Sequence, residues 1–284
     1  MLLLVSGGMK AQAQREVSVD RFDAPVATNS RLTYLDLIRK VFPDVQAEGD
    51  QVGAQAGKTI ALRHLFGDYR ERIFEGEMNI NSTSVLRIRN SGEEQLLLLL
   101  NVSGADAALF QWGGMSVLAL FSIERGVTLL DAVDVQADRF TFFAERQAVL
   151  GIHPRHDAVL LVNHHFNSGD SYLAYSLVSV VNNRLKDVFA EMPLLVGDNH
   201  CGTNFTETPH FKVLRDSRSG YRRLRLSIKL LKKADDANCE RRTKGYTKYF
   251  NYTLVWQPSL KRYVAGESAT KRLRRADKAL GLPT

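Results

Sequence analysis

Cysteine is scarce in this sequence: Cys201 and Cys239 are the only two in 284 residues. Two thiols cannot build a four-cysteine structural zinc site. No stretch reaches 18 consecutive apolar residues, so the sequence offers no membrane-spanning helix. Nucleophile and cofactor signatures are missing as well. There is no G-x-S-x-G, no H-E-x-x-H and no G-x-G-x-x-G; GGMSVLA holds the serine without the following glycine. GAQAGKT (53–59) places three residues between its glycines where a phosphate loop needs four. These absences remove the motif evidence for an enzyme. They do not exclude one, because catalytic groups also assemble from distant positions. A non-enzymatic role is the favoured expectation.

What is present is strand-forming. With 44% hydrophobic and 24% charged residues, the chain has the composition of a globular domain and the length to bury a core without staples. From residue 58 onward, TIALRHLF, GEMNI, TSVLRIR, QLLLLLNV, MSVLALFSI, VTLLDAVDV and RFTFF follow one another. AVLLVNHHF, YLAYSLVSVV, RLKDVFAEM, HFKVL, RRLRLSIKLL, YFNYTLVW and KRYVAG continue the series. Turn signals such as NSGEE, ERG, NSGD and SRSG separate them, which predicts an antiparallel, mostly β fold. Three stretches share a pattern of buried strand, turn, second strand, tight turn and third strand. They begin near LLLLNV, VLLVNH and LRLSIK, and the first two lie roughly 60 residues apart. Repeated four-strand hairpin units predict a propeller-like meander, with a β-sandwich as the alternative.

Two helices frame the strands. SRLTYLDLIRKVFPD carries Leu32, Leu35, Ile38, Val41 and Phe42 at helical spacing, with Ser30 or Thr33 as cap and Pro43 as stop. Residues 47–57 read as a loop. SATKRLRRADKALGLP reads as a basic terminal helix over 268–281, capped by Ser268 and stopped by Gly281. The expected organisation is a signal remnant at 1–13 and one β-rich domain over 14–284, with its β core at 58–265. MLLLVSGGMKAQAQRE resembles the end of a secretory signal with an A-x-A site after Ala13. A periplasmic or secreted location follows, with the cytoplasm as the alternative. In an oxidising compartment Cys201 and Cys239, flanking a hairpin with its turn near Ser217–Gly220, are expected to form a disulfide.

HPRHDAVLLVNHHFNSGDSY (153–172) holds four of the seven histidines. His153, His156, His164 and Asp170 form a candidate set for a metal ion, and with it a metal-dependent or other hydrolase is the alternative function. On a regular strand His164 and His165 point to opposite faces, so both cannot enter one ligand shell. DAVDVQAD (131–138) offers Asp131, Asp134 and Asp138 to calcium, but the twelve-residue calcium loop is absent. The expected reading is core or solvated side chains, with no cofactor.

Charge is the strongest functional signal. Residues 212–284 hold 20 Lys and Arg against 6 Asp and Glu, whereas the preceding 211 residues hold 18 against 25. In YRRLRLSIKLLKK, alternation puts Arg223, Arg225, Lys229 and Lys233 on one face and Leu224, Leu226, Ile228 and Leu230 on the other. Arg272 and Arg275 add a second cationic surface on the terminal helix. Such a field attracts a polyanionic polymer, an anionic lipid surface or a protein partner, with nucleic acid the least expected after export. The competing reading is protective, because charge on an outermost strand prevents edge-to-edge pairing.

Overall fold

A computed structural model describes residues 15–18, 21–27, 30–48, 51–54, 60–66, 72–74, 78–104, 114–137, 140–166, 171–196, 205–214, 220–234, 244–265 and 269–279. The fold is mostly β, with antiparallel sheets and two helices. The first sheet gathers β1 (Arg15–Ser18), β2 (Val45–Glu48), β3 (Gln51–Ala54), β4 (Ile60–His64), β5 (Arg72–Phe74), β6 (Met78–Asn90), β7 (Glu93–Gly104), β8 (Met115–Ser122) and β9 (Thr128–Asp134). Its strand order is β2-β3-β6-β7-β8-β9-β4-β5, with β1 also on β6; β4 alone runs parallel to its neighbour, β9. Helix α1 (Tyr34–Val41) lies between β1 and β2 in the chain. The second sheet holds β10 (Phe140–Phe143), β11 (Val149–His153), β12 (His156–Phe166), β13 (Ser171–Val181) and β14 (Arg184–Leu195). The third is a four-strand meander of β15 (Phe205–Val213), β16 (Leu224–Lys232), β17 (Tyr246–Gln257) and β18 (Arg262–Ala265). Helix α2 (Ala269–Ala279) follows it.

The sheets are layered in chain order. In β7 the run Leu96–Leu100 is buried throughout, because both of its faces are covered. Leu96, Leu98 and Leu100 meet Leu37, Ile38 and Phe42 of the α1 region, whereas Leu97 and Leu99 meet Val159, Leu161, Val178 and Val180 of the second sheet. The opposite face of the second sheet, with Leu160 and Leu177, packs on Phe211, Leu224, Leu226, Ile228 and Leu254 of the third. Burial of one such side chain contributes about 2 kcal/mol. Asn101 ties the first two layers by acting like a piece of backbone. Its Nδ2 donates to the Thr141 carbonyl at 3.1 Å, and its Oδ1 accepts from the Thr141 N–H at 3.2 Å and from Ser116 Oγ at 2.7 Å.

Among the described residues the sheets close no barrel or ring, so the propeller-like arrangement is not seen. The three stretches with the shared pattern do fall in three different sheets, as β7–β9, β12–β14 and β16–β18. Strand structure also begins earlier than residue 58. VQAE and QVGA pair as a hairpin where a loop was expected, since four residues are too few for alternation to register. At α1, Thr33 is the cap: Asp36 N–H donates to Thr33 Oγ1 at 3.1 Å, and Thr33 N–H donates to Asp36 Oδ2 at 2.9 Å. This reciprocal box holds the Asp36 carboxyl below the usual range and adds about 1 kcal/mol. The buried side of the helix runs through Tyr34, Leu37 and Ile38, leaving Leu35 half-exposed. No described helix is long and apolar enough to cross a membrane.

Candidate functional site

The third sheet has one covered face and one bare face. Along β16, Leu224, Leu226, Ile228 and Leu230 are fully buried, while Arg225 and Lys229 are exposed between them. The register builds rows across the bare face. Lys212 stands opposite Arg225, which stands opposite Thr253; His210, Ser227 and Asn251 form the next row; Thr208, Lys229 and Tyr249 form the third. Ser227 Oγ donates to Asn251 Oδ1 at 2.6 Å, and Tyr249 is 64% exposed. Among the described residues 205–214, 220–234 and 244–265 the single acid is Glu207, and it is buried on the inner face. No ion pair joins Lys212, Arg225 or Lys229 to a carboxylate among the described residues. Two cations therefore face each other at Lys212 and Arg225 with no charge of opposite sign beside them among the described residues, an arrangement that costs stability.

The topology separates this face from its protective reading. The sheet order is β15-β16-β17-β18, so β16 is an interior strand with both edges paired. Its charges guard no edge. The edge strand β15 already carries Pro209, which suits a position lacking a second partner.

Of the other predicted cations, Arg223 is half-buried just before β16, and Lys233 is exposed just after it. Arg272 and Arg275 are exposed on α2, but Arg272 lies 5.4 Å over the ring of Tyr252, an inward-facing residue of β17. The helix cations thus sit on the opposite side of the third sheet from Arg225 and Lys229. The basic segment of the sequence becomes two separate surfaces. Arg274 is turned inward: it donates to Asp277 Oδ2 at 2.8 Å and to the Pro193 carbonyl.

The chain matches no protein-family model, no curated protein and no solved structure.

The histidines divide. Pro154 and Arg155 form the turn between β11 and β12, which sets His153 opposite His156 with ring centroids 4.9 Å apart. Tyr221 lies 5.0 Å from His153, stacks over His156 at 6.1 Å, and stacks on Trp256 at 4.0 Å. Arg155 N–H donates to His153 Nδ1 at 3.1 Å, and His156 Nδ1 pairs with Asn90 Oδ1 at 3.0 Å. All three sheets therefore meet here. Burial holds both imidazoles below their usual pKa, helped by Arg155 and Arg222 at His153 and by His153 and Arg155 at His156. Arg155 Nε donates to the Ser91 carbonyl at 3.0 Å and Arg222 Nη1 to the Gly151 carbonyl at 2.9 Å, so both cations cap backbone.

His164 is not part of this joint. It lies eight residues further along β12, opposite Phe140 and Leu173, which puts it about 26 Å from His156 along the strand. The three proposed histidine ligands do not converge, and no group of three metal-binding side chains occurs among the described residues. Asp170, Cys201 and Cys239 lie outside the described residues, and with them the expected disulfide. Asp131 and Asp134 are buried and taken by protein donors. Asp131 accepts from Arg63 and the Leu185 N–H at 2.8 Å each; Asp134 accepts from the Gln136 N–H at 3.0 Å and pairs with His64 Nδ1 at 2.8 Å.

One site escaped the sequence reading. Glu207 and Asp277 are both buried, and they meet at Arg274 where α2 docks between the second and third sheets. A signal was there: Asp277 stands four residues after Leu273, on the helix row that packs inward.

Proposed function

We propose that the protein is a non-catalytic binding protein that holds an anionic ligand against the bare face of its third sheet. Arg225 and Lys229 make the ion pairs, and Lys212 on the neighbouring strand joins Arg225 on one anionic group. Ser227, Asn251 and Thr208 offer neutral hydrogen-bonding groups between the cations. Arg223 and Lys233 extend the surface at either end of β16, and Arg272 and Arg275 of α2 belong to another side of the molecule.

The observation that supports this reading is the position of β16 inside its sheet, with cations facing a cation across the register and no carboxylate on that face among the described residues. Neither packing nor edge protection calls for them there. An ion pair with an incoming anion relieves the repulsion between Lys212 and Arg225. After export through the segment ending near Ala13, the available ligands are anionic envelope components, which fits a periplasmic or secreted protein.

Retention on an immobilised polyanion under a salt gradient tests the proposal. Wild-type protein elutes at high salt, Arg225→Glu with Lys229→Glu elutes near the void, and Arg272→Glu with Arg275→Glu stays close to wild type. Equal loss in both double variants, or none in the first, defeats the reading.

A further inference from the structure

The cations on the bare face are arranged in a line. Residues on one face of a strand repeat about every 6.7 Å, so Lys229 follows Arg225 by about 13 Å. Lys233 continues past the end of β16 by a similar step, and the file spans about 27 Å. Lys212 lies one strand across from Arg225, about 5 Å away. Elsewhere the neighbouring strands contribute neutral side chains to the rows: Thr208, Asn251, Thr253 and Tyr249, with His210 beside Ser227. Among the described rows, two cations converge at Lys212 and Arg225 alone. A small anion would engage that pair and leave Lys229 idle.

We infer that the ligand is a linear polymer of repeating anionic groups, laid lengthwise along β16 from Arg225 to Lys233. The inference rests on the binding role proposed above and adds the shape of the ligand. A chain with an anionic group at each repeat meets the file at successive positions, and the row of Ser227 and Asn251 bonds the uncharged part of the repeat between them. Among the described residues of the face, Tyr249 is the single exposed large aromatic. Recognition of single-stranded nucleic acid depends on several aromatic platforms for successive bases. One platform beside Lys229 suits one sugar ring or none, which points to a polymer without bases. Polyphosphate-type and uronate-type chains share this chemistry.

Affinity against chain length decides the matter. Orthophosphate, tripolyphosphate and long-chain polyphosphate form one series; galacturonate and its oligomers form the other. Both are titrated at one low ionic strength and analysed per binding site. In at least one series, affinity is expected to rise tenfold or more from the trimer to chains that span the file, and the series that rises identifies the anionic group. Lys229→Gln is expected to abolish most of that rise while leaving orthophosphate binding within twofold. If short and long members bind equally in both series, the lengthwise polymer is wrong and the anion-binding role stands. If no member of either series binds at low salt, the binding role falls too. The Arg272→Glu, Arg275→Glu protein is the folded control, and its affinities match wild type.

Discussion

Glu207 and Asp277 present their carboxyl groups to a single guanidinium, with Arg274 Nη1 at 3.9 Å from Glu207 Oε2 and 2.8 Å from Asp277 Oδ2. Glu207 is 1% and Asp277 0% exposed. Glu207 Oε2 also accepts from the Leu195 N–H at 2.8 Å, while Glu207 Oε1 and Asp277 Oδ1 have no hydrogen-bond partner among the described residues. Two buried carboxylates share one guanidinium, and a proton held between them relieves their mutual repulsion. Burial pushes Glu207 up to about 7 and raises Asp277 as well. Lys232 is buried one row away on β16, and Tyr246 and Tyr252 lie close enough to feel Asp277.

The sign of the pH dependence follows. A carboxyl that binds its proton more tightly when folded favours folding at low pH. Its contribution declines as pH rises from the ordinary glutamate value of 4.5 toward about 7, and is flat above. At about 1.4 kcal/mol per unit, the full loss is about 3 kcal/mol. Glu207→Gln keeps a neutral donor there, so its unfolding free energy in urea should exceed that of wild type at pH 8 and converge with it near pH 5. A wild-type excess at pH 8 rules the shared proton out.

The histidine joint works in the other direction. His153 and His156 both have lowered pKa values, so folding opposes their protonation. Their contribution is complete above the ordinary value of 6.5 and fades as pH falls below it through the depressed folded values. Proton NMR titration should place both midpoints under 6.5, and a variant with glutamine at both positions should lose the acid-side decline in melting temperature.

Gly220 has φ +77°, and a Cβ there would come within 3.0 Å of His153 Nε2. Gly220→Ala therefore meets strain and a clash together, at a cost of about 1–3 kcal/mol. The same change should alter the near-ultraviolet signal of the Tyr221–Trp256 stack. An unchanged melting temperature with an unchanged spectrum would show that the joint is loose.

Asn101 lies between two layers with every polar atom used. Asn101→Leu leaves the Thr141 N–H and carbonyl unpaired in the interior, and about 2–4 kcal/mol of stability should go with them. Thermal denaturation reads this directly, and Ser82→Ala, which removes only one partner hydroxyl, should cost under half as much.

Lys212→Glu separates stability from binding. It turns the cross-strand pair with Arg225 from repulsive to attractive, a gain of about 0.2–1 kcal/mol. Polyanion retention should fall in the same variant. A protein selected only for solubility on this face would show the gain without the loss of a ligand.

The strands and helices were legible because their signals are local. Alternation in RLRLSIKL and the Thr33–Asp36 spacing are complete within a few residues, and the structure keeps both. The short β2–β3 hairpin and the β11–β12 turn were not, since HPRH carries its strand ends on either side of a two-residue turn and reads as loop. Site geometry depended on contacts across layers. Nothing near His156 in the sequence announces Asn90 or Tyr221, and the basic character of SATKRLRR conceals that Arg274 and Asp277 turn inward while Arg272 stays out. Whether β16 lies at the rim or in the middle of its sheet is a property of strand order, which composition does not carry.

The layers succeed one another from the amino to the carboxyl end, and this has a consequence during synthesis. When the second sheet has left the ribosome, its greasy side, with Leu160 and Leu177, still waits for Phe211, Leu226 and Leu254 to be translated. For that interval the nascent chain is a sticky half-product that invites chaperones or misassociation. The basic segment that covers it arrives last, so a chain cut short after Leu195 would lose its solubility together with its charge.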